Sequence, residues 1–399
     1  MSGIQNAPAM TTDLPICSCE LSNDDYSQTY RITNFIVVII VLPLIATCGV
    51  ITNFINAFIY TRPRMLKSSS VYLAFLALSD LMVDITGMTM FSLDSAKAYS
   101  YQLRRWLSQG LLYILPLGHI AQTCSVYFTI FAAVDCYVAS CWKKLAKRWC
   151  LTKRAVQVVV TIFFCSLAYN MIKYWELNAV TCLHNRTRMI HSEICPTELH
   201  LKISTVYNVY MYMILMTLLP FFTLTILNVL IVRSNQFRSH ISKVAHIAAL
   251  GLHVARRPSD KHNSLTFNWM NEGSKKDSDN TVTLVMVVVM FLCCNVLGLV
   301  VNIVSTFFHS RSMALNYMAD FSNLLVIFNS SANFIIYITS EKRFRENFMQ
   351  YFGSVDLWIC NRKTEVPLNL LTSNTSDGKT ETLLTLSNLN GDSIEETPL

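Results

Sequence analysis

Along this chain, long unbroken apolar blocks alternate with short polar links. Seven blocks are long enough to cross a bilayer: Ile32–Tyr60, Ser70–Leu93, Gln109–Ser140, Ala155–Trp175, Ile203–Val232, Val282–Phe308 and Met313–Thr339. A hydrocarbon core of about 30 Å takes roughly 20 helical residues, and each block meets that length. Strands are a poor alternative, because the blocks are continuous and a lipid-facing backbone must satisfy its own hydrogen bonds. The pattern predicts an all-α fold, a seven-transmembrane helix bundle over residues 32–340. Residues 1–31 form a polar leading segment without the apolar core of a cleavable signal, so the first block is expected to be both signal and anchor. Residues 233–280 form a long polar link with a small apolar island, Val244–Val254, read as an extension of the fifth span or a surface-lying helix. Residues 341–360 are amphipathic, and 361–399 lack periodicity and are expected to be a disordered tail.

Composition strengthens this reading. Charged residues make up 14% of the chain, where soluble domains carry about 25%. The net charge of +7 could suggest nucleic acid, but its placement points elsewhere. Arg62, Arg64 and Lys67 follow the first span. Lys143, Lys144, Lys147, Arg148, Lys153 and Arg154 lie between the third and fourth, with no acid among them, and a further basic set runs from Arg233 to Lys276. The first 31 residues instead carry Asp13, Glu20, Asp24 and Asp25 against Arg31 alone. Basic links stay cytoplasmic, so the amino terminus is expected outside and the carboxyl terminus inside. The excess charge then faces the lipid of the inner leaflet, and no nucleic-acid partner is implied. Trp106, Trp142, Trp149, Trp175 and Trp358 fall at or near span ends, where amphipathic rings prefer the interface.

Polar groups inside the spans are the candidate chemistry, since an intramembrane carboxylate is costly and usually functional. Asp80 lies well inside span two, Asn53 in span one, Ser125 in span three, and Asn329 and Asn333 on one face of span seven. If these faces converge, one carboxylate and several neutral oxygens could hold a small hard cation such as sodium. The alternative is a hydrogen-bond network that fastens helices together, and spacing alone leaves both open. Asp84, one turn from Asp80, could join Asp94, Glu176 and Asp320 in an acidic outer vestibule for a cationic ligand group; the plainer reading makes the last three solvated loop-edge charges. His119 and Gln122 could line a pocket or simply be hydrogen-bonded. The 13 cysteines form no metal-spaced cluster. The few intramembrane histidines and acids argue against a zinc hydrolase, and no internal repeat suggests a transporter. No enzyme activity and no cofactor beyond a candidate sodium ion are expected.

These residues resemble the rhodopsin-like class of G-protein-coupled receptors. Its landmarks appear in order: Gly49-Val50-Ile51-Thr52-Asn53, Leu76–Asp80, Asp135-Cys136-Tyr137, Pro220 and Asn333-Phe334-Ile335-Ile336-Tyr337. Glu341–Phe352 then looks like the short amphipathic eighth helix of that class. Within it, the chain is most similar to invertebrate FMRFamide-type neuropeptide receptors, through Ala121–Tyr127, Ala168–Asn170 with Trp175-Glu176, and Asn329–Tyr337. The resemblance implies a plasma-membrane receptor for an extracellular peptide, FMRFamide-like with a basic, amidated end. It implies an allosteric sodium site on Asp80, Ser125, Asn329 and Asn333, and coupling to a heterotrimeric G protein through Asp135, Cys136, Tyr137, Asn228 and Tyr337.

The departures from the class also carry meaning. Its arginine after the span-three acid is Cys136 here, and a thiol has neither the reach nor the fork of donors. The span-six Cys-Trp-x-Pro reads Cys294-Asn295-Val296-Leu297, so no proline kink is expected there. The cysteine that usually starts span three is missing; Cys182 and Cys195 are candidates to pair with each other or with Cys17 and Cys19, in any of three connectivities. Asn185-Arg186-Thr187 is a glycosylation sequon. Cys360 is a palmitoylation candidate, and Thr397-Pro398-Leu399 looks like a ligand for a PDZ-type groove; arrestin is the other tail partner the class implies. Gly118 stands where amine receptors place an acid, and span seven has no lysine for a retinal Schiff base. The rival reading is a small-molecule chemoreceptor, or a weakly coupling decoy because of Cys136.

Overall fold

The computed structural model describes residues 15–16, 27–93, 95, 101–183, 190–253, 263–308 and 313–353. Seven helices are long and apolar enough to cross a membrane: Gln28–Tyr60, Ser68–Leu93, Gln109–Cys141, Thr152–Trp175, Thr205–Phe237, Val282–Ser305 and Met313–Ser340, hereafter spans one to seven. Ser27 starts the first, its Oγ accepting from the Tyr30 backbone N–H at 3.2 Å, which satisfies one of the orphan donors of a helix start. Spans two and three are the centre of the bundle. Their most apolar windows are 67% and 56% buried, against 28% for spans four and five, whose remaining surface is apolar and suited to lipid. One core cluster, Leu42, Ala46, Val83, Ala121 and Ile327, joins spans one, two, three and seven.

Three features go beyond the apolar-block reading. The helices are not uniform: Phe35–Val41, Met88–Leu93, Ser204–Met211 and Met213–Leu218 are wound as π-helix. The first and last of these end just ahead of a proline, Pro43 or Pro220, where the missing N–H and the ring clash with the preceding turn disturb the regular ladder. The long polar link is largely helical. The helix of span five continues to His253 and the helix of span six begins at Asn263, because Phe221–Leu250 contains neither glycine nor proline to stop it. The apolar island is thus an extension of span five as far as His253.

The third feature is a β-hairpin after span four, made of β1 (Leu177–Leu183) and β2 (Ile190–Pro196) paired antiparallel. Its short Val-, Ile- and Thr-containing runs suit a strand but carry no membrane-length signal. Leu183 N–H donates to the Pro15 carbonyl at 2.8 Å, and Ile16 bridges Leu183. Pro15 and Ile16 therefore lie at the hairpin end of the bundle. The eighth helix, Lys342–Phe352, follows span seven at the opposite end, shorter than the amphipathic stretch 341–360. Chain contacts gather Met1–Tyr351 into one unit and Phe352–Leu399 into another, and the sites below lie in the first.

Candidate functional site: an uncharged cavity and a buried acidic core

A cavity of about 380 Å³ opens between spans two, three, five, six and seven, within the range of small-ligand sites. Met90, Phe91, Met216, Phe221 and Phe291 supply apolar wall, and His119, Gln122, Asn295, Asn302 and Asn323 supply polar groups. Gln122 hydrogen-bonds Tyr212, whose ring stands edge-on to His119 at 6.3 Å. Asn295 Nδ2 donates to the Phe291 carbonyl at 2.8 Å, and Asn302 Nδ2 to Thr217 Oγ1 at 3.5 Å. Among the described lining residues there is no carboxylate, lysine or arginine.

Of the residues expected to meet a ligand, His119 and Gln122 are in this wall. Asp84, Glu176 and Asp320 are not, so the structure does not gather them into an acidic vestibule, and Asp94 lies outside the described residues. The reason is that each of the three accepts hydrogen bonds that tie elements of the fold together. Asp320 Oδ2 accepts from Asn34 Nδ2 at 3.0 Å, tying span seven to span one. Glu176 is buried; its Oε2 takes Lys173 Nζ at 3.3 Å and Asn208 Nδ2 at 3.2 Å, with His200 Nδ1 at 3.5 Å. Its own carbonyl accepts from Thr197 N–H at 2.9 Å, so the residue clamps the hairpin's exit onto the end of span four.

Asp84 turns into the bundle. Its Oδ2 accepts from Asn53 Nδ2 at 3.0 Å and its Oδ1 from Ser331 Oγ at 3.3 Å. Gly49 makes room for it: a Cβ there would fall 2.3 Å from Asp84 Oδ2 and 2.2 Å from Ser331 Oγ. One turn away, Asp80 Oδ1 accepts from Ser125 Oγ at 2.6 Å and Oδ2 from Asn333 Nδ2 at 2.7 Å. The set expected around Asp80 changes in two places. Asn53 serves Asp84 instead, and Ser330, not Asn329, is the third side chain on Asp80. Both acids are fully buried, as an intramembrane charge must be unless it lines water.

At the opposite end, Asp135 Oδ1 accepts from Ser68 Oγ at 2.8 Å, and the Cys150 thiol approaches the Asp135 carbonyl at 3.7 Å. Burial first, then the Asp135 carboxylate, push the Cys150 thiol up to about 12, so it stays protonated and unreactive at cell pH. Cys136 is buried and Tyr137 half-buried. Asn228 and Tyr337 are buried with Asn228 Oδ1 and the Tyr337 hydroxyl unpartnered among the described residues. Sequence reasoning missed the neighbours of Tyr337. Tyr60 donates to Glu341 at 2.7 Å inside the fold, and the Tyr60, Tyr337 and Phe344 rings lie 5.1 to 5.6 Å apart. The available signal was Glu341 itself, an acid directly abutting the last apolar span.

Cys182 and Cys195 are both disulfide-bonded. Mutual pairing is excluded by register, because Cys182 stands opposite His191 and Cys195 opposite Asn178. That offset of four residues is about 13 Å along a strand, beyond a disulfide's reach. Cys17, Cys19, Asn185 and Cys360 lie outside the described residues.

Seven spans, a cavity at the hairpin end and a polar core beneath it define a class. The family model described as 7 transmembrane receptor (rhodopsin family) matches residues 54–337, and the chain belongs to that family: a membrane receptor, not an enzyme. Among its relatives, a probable G-protein coupled receptor of Caenorhabditis elegans, frpr-1, is 30% identical over 342 residues, which is 81% of each chain. The FMRFamide receptor of Drosophila melanogaster is 30% identical over 325 residues, covering 78% of this chain and 53% of that receptor, about half its length. The FMRFamide peptide receptor frpr-18 of Caenorhabditis elegans is 23% identical over 319 residues, covering 77% of this chain and 67% of its own.

Proposed function

We propose that the protein is a plasma-membrane receptor for an extracellular FMRFamide-type neuropeptide, with its amino terminus outside and a heterotrimeric G protein engaged at the eighth-helix end. The observation that carries this reading is the chemistry of the cavity wall. Carboxamides and hydroxyls alternate with aromatic and thioether groups, and no charged residue lines it among those described. An amidated aromatic terminus suits such a wall, since its carboxamide can donate and accept against Asn and Gln while the ring is buried. A free carboxylate would be desolvated there without a cation. The peptide's basic side chain would then lie outside the cavity rather than on Asp84. Occupancy would bias a two-state bundle, with a sodium ion on Asp80, Ser125 and Ser330 favouring one state. Arrestin and a PDZ-type scaffold are the tail partners that go with this reading.

Cys136 favours a second reading, a weakly coupling receptor: Asp135 is held by Ser68 and the arginine of the class is absent. One experiment addresses both. Cells expressing the chain are screened with amidated peptides and their free-acid twins, with G-protein and arrestin readouts run together. An amide at least about tenfold more potent than its acid is expected, worth roughly 1.4 kcal/mol. Equal potency of the two forms would remove the cavity argument, and arrestin recruitment without G-protein activation would favour the second reading.

A further inference from the structure

We infer that the link between spans three and four is a docking surface for the anionic headgroups of the inner leaflet, strongest for lipids bearing phosphomonoesters. The link folds as the short helix Lys143–Trp149, and none of its residues is buried. Lys143, Lys144, Lys147, Arg148, Lys153 and Arg154 are all exposed, and no ion pair joins any of them to an acid among the described residues. Four apolar side chains stand exposed beside them: Trp142 at 58%, Trp149 at 60%, Leu145 at 38% and Leu151 at 47%. The Arg154 guanidinium lies 5.5 Å from the Trp149 ring. Six cations without a counter-charge among the described residues, interleaved with indole rings, match a surface that is anionic outside and apolar just beneath.

The other basic groups at this end are used differently, which makes the contrast informative. The Arg62 guanidinium sits 3.7 Å over the Phe58 ring, and Arg64 donates to Gln350. Arg345 donates to the Ile338 and Thr339 carbonyls, and Lys342 pairs with Glu346 at 3.7 Å. Arg64 and Arg345 thus tie the eighth helix to the bundle, while Arg62 is engaged with span one and Lys342 within the eighth helix itself. Basic charge at the inner end is thus partly structural, whereas in this link no cation has an acidic partner among the described residues and only Arg154 meets a ring.

The inference rests on the proposed orientation only for the leaflet, because lipid capture by the purified receptor does not depend on which side faced the cytosol. The full-length receptor is placed in nanodiscs of zwitterionic lipid carrying phosphatidylinositol bisphosphate or, at equal charge, phosphatidylserine; bound lipid is counted by native mass spectrometry, with free inositol trisphosphate as a competitor. Expected is retention of the bisphosphate lipid over phosphatidylserine, reduced at least about tenfold in the Lys143→Gln/Lys144→Gln/Lys147→Gln/Arg148→Gln variant. A control carrying Lys342→Gln and Arg343→Gln should change retention less than about twofold. Trp142→Ala/Trp149→Ala should weaken lipid retention without affecting inositol trisphosphate, which separates a lipid surface from a phosphate site. Equal losses in both charge variants, or no preference over zwitterionic lipid, would overturn the assignment. So would binding of an acidic partner protein by this link with no lipid retained. Impermeant labelling of an amino-terminal tag on intact cells tests the orientation separately.

Discussion

The cavity and the acidic core lie in one bundle and share span two, yet they treat charge in opposite ways. The cavity takes Thr86, Met90 and Phe91 from that span and is lined throughout by uncharged groups and His119. The core takes Asp80 and Asp84 from the same span and seals both against donors of spans one, three and seven. The difference follows from solvent. A carboxylate in the membrane is tolerated where fixed donors replace water, and those donors come from neighbouring helices rather than from an open cleft. The buried carboxylates of span two therefore fix how helices pack, and neutral amides and rings are left to line the cavity.

The largest effect that could break this contrast is steric. Gly49→Ala places a methyl about where Asp84 Oδ2 and Ser331 Oγ now lie, and overpacking of this kind costs up to about 3 kcal/mol. A large loss of thermal stability in detergent is expected, together with low surface expression. Asp84→Ala and Ser331→Ala introduced together alongside should recover most of it, since both clashing side chains are then truncated. If the single variant is as stable as the parent, the tight Gly49–Asp84 approach is wrong and the core is looser than described. Next in size is Asp80. Asp80→Ala strands the Ser125 hydroxyl and Asn333 amide, at about 1–3 kcal/mol for donors left unpaired in a buried site. Asp80→Asn keeps the shape and should instead flatten the response of agonist affinity to sodium. Identical sodium curves for Asn and Asp forms would reject the ion and leave a purely structural knot.

How much of this was legible beforehand differs by region for physical reasons. The seven spans could be read because membrane thickness imposes a length on every apolar run, and their observed ends moved by only a few residues. Asp80, Ser125 and Asn333 could be expected together because intramembrane polar groups turn away from lipid and the resemblance to the receptor class implies that set. The side chosen by Asp84 could not, because it depends on the space left by Gly49 and on Asn53 and Ser331 in two other helices. The hairpin escaped notice since seven-residue strands have neither membrane length nor a long period. Glu176 looked like a loop-edge charge because its partners Lys173, Asn208 and His200 come from three different elements.

The smallest expected effect sharpens the contrast from the cavity side. Asn302 is part of the cavity wall, hydrogen-bonded to Thr217 at 3.5 Å. Leucine there keeps the volume roughly constant but removes the amide that could match a peptide's terminal carboxamide. Loss of one such neutral hydrogen bond is worth about 0.5–1.5 kcal/mol, so amidated-peptide potency should fall about three- to tenfold in Asn302→Leu at matched surface expression. Because Asn302 lines the cavity, while Asp80 and Asp84 are held by Ser125, Asn333, Asn53 and Ser331, sodium sensitivity should be unchanged. Its effect should therefore add to that of Asp80→Asn. A loss of stability comparable to Asp80→Ala with unaltered potency would mean that cavity amides pack helices as the acids do, and the division between the two regions would fail.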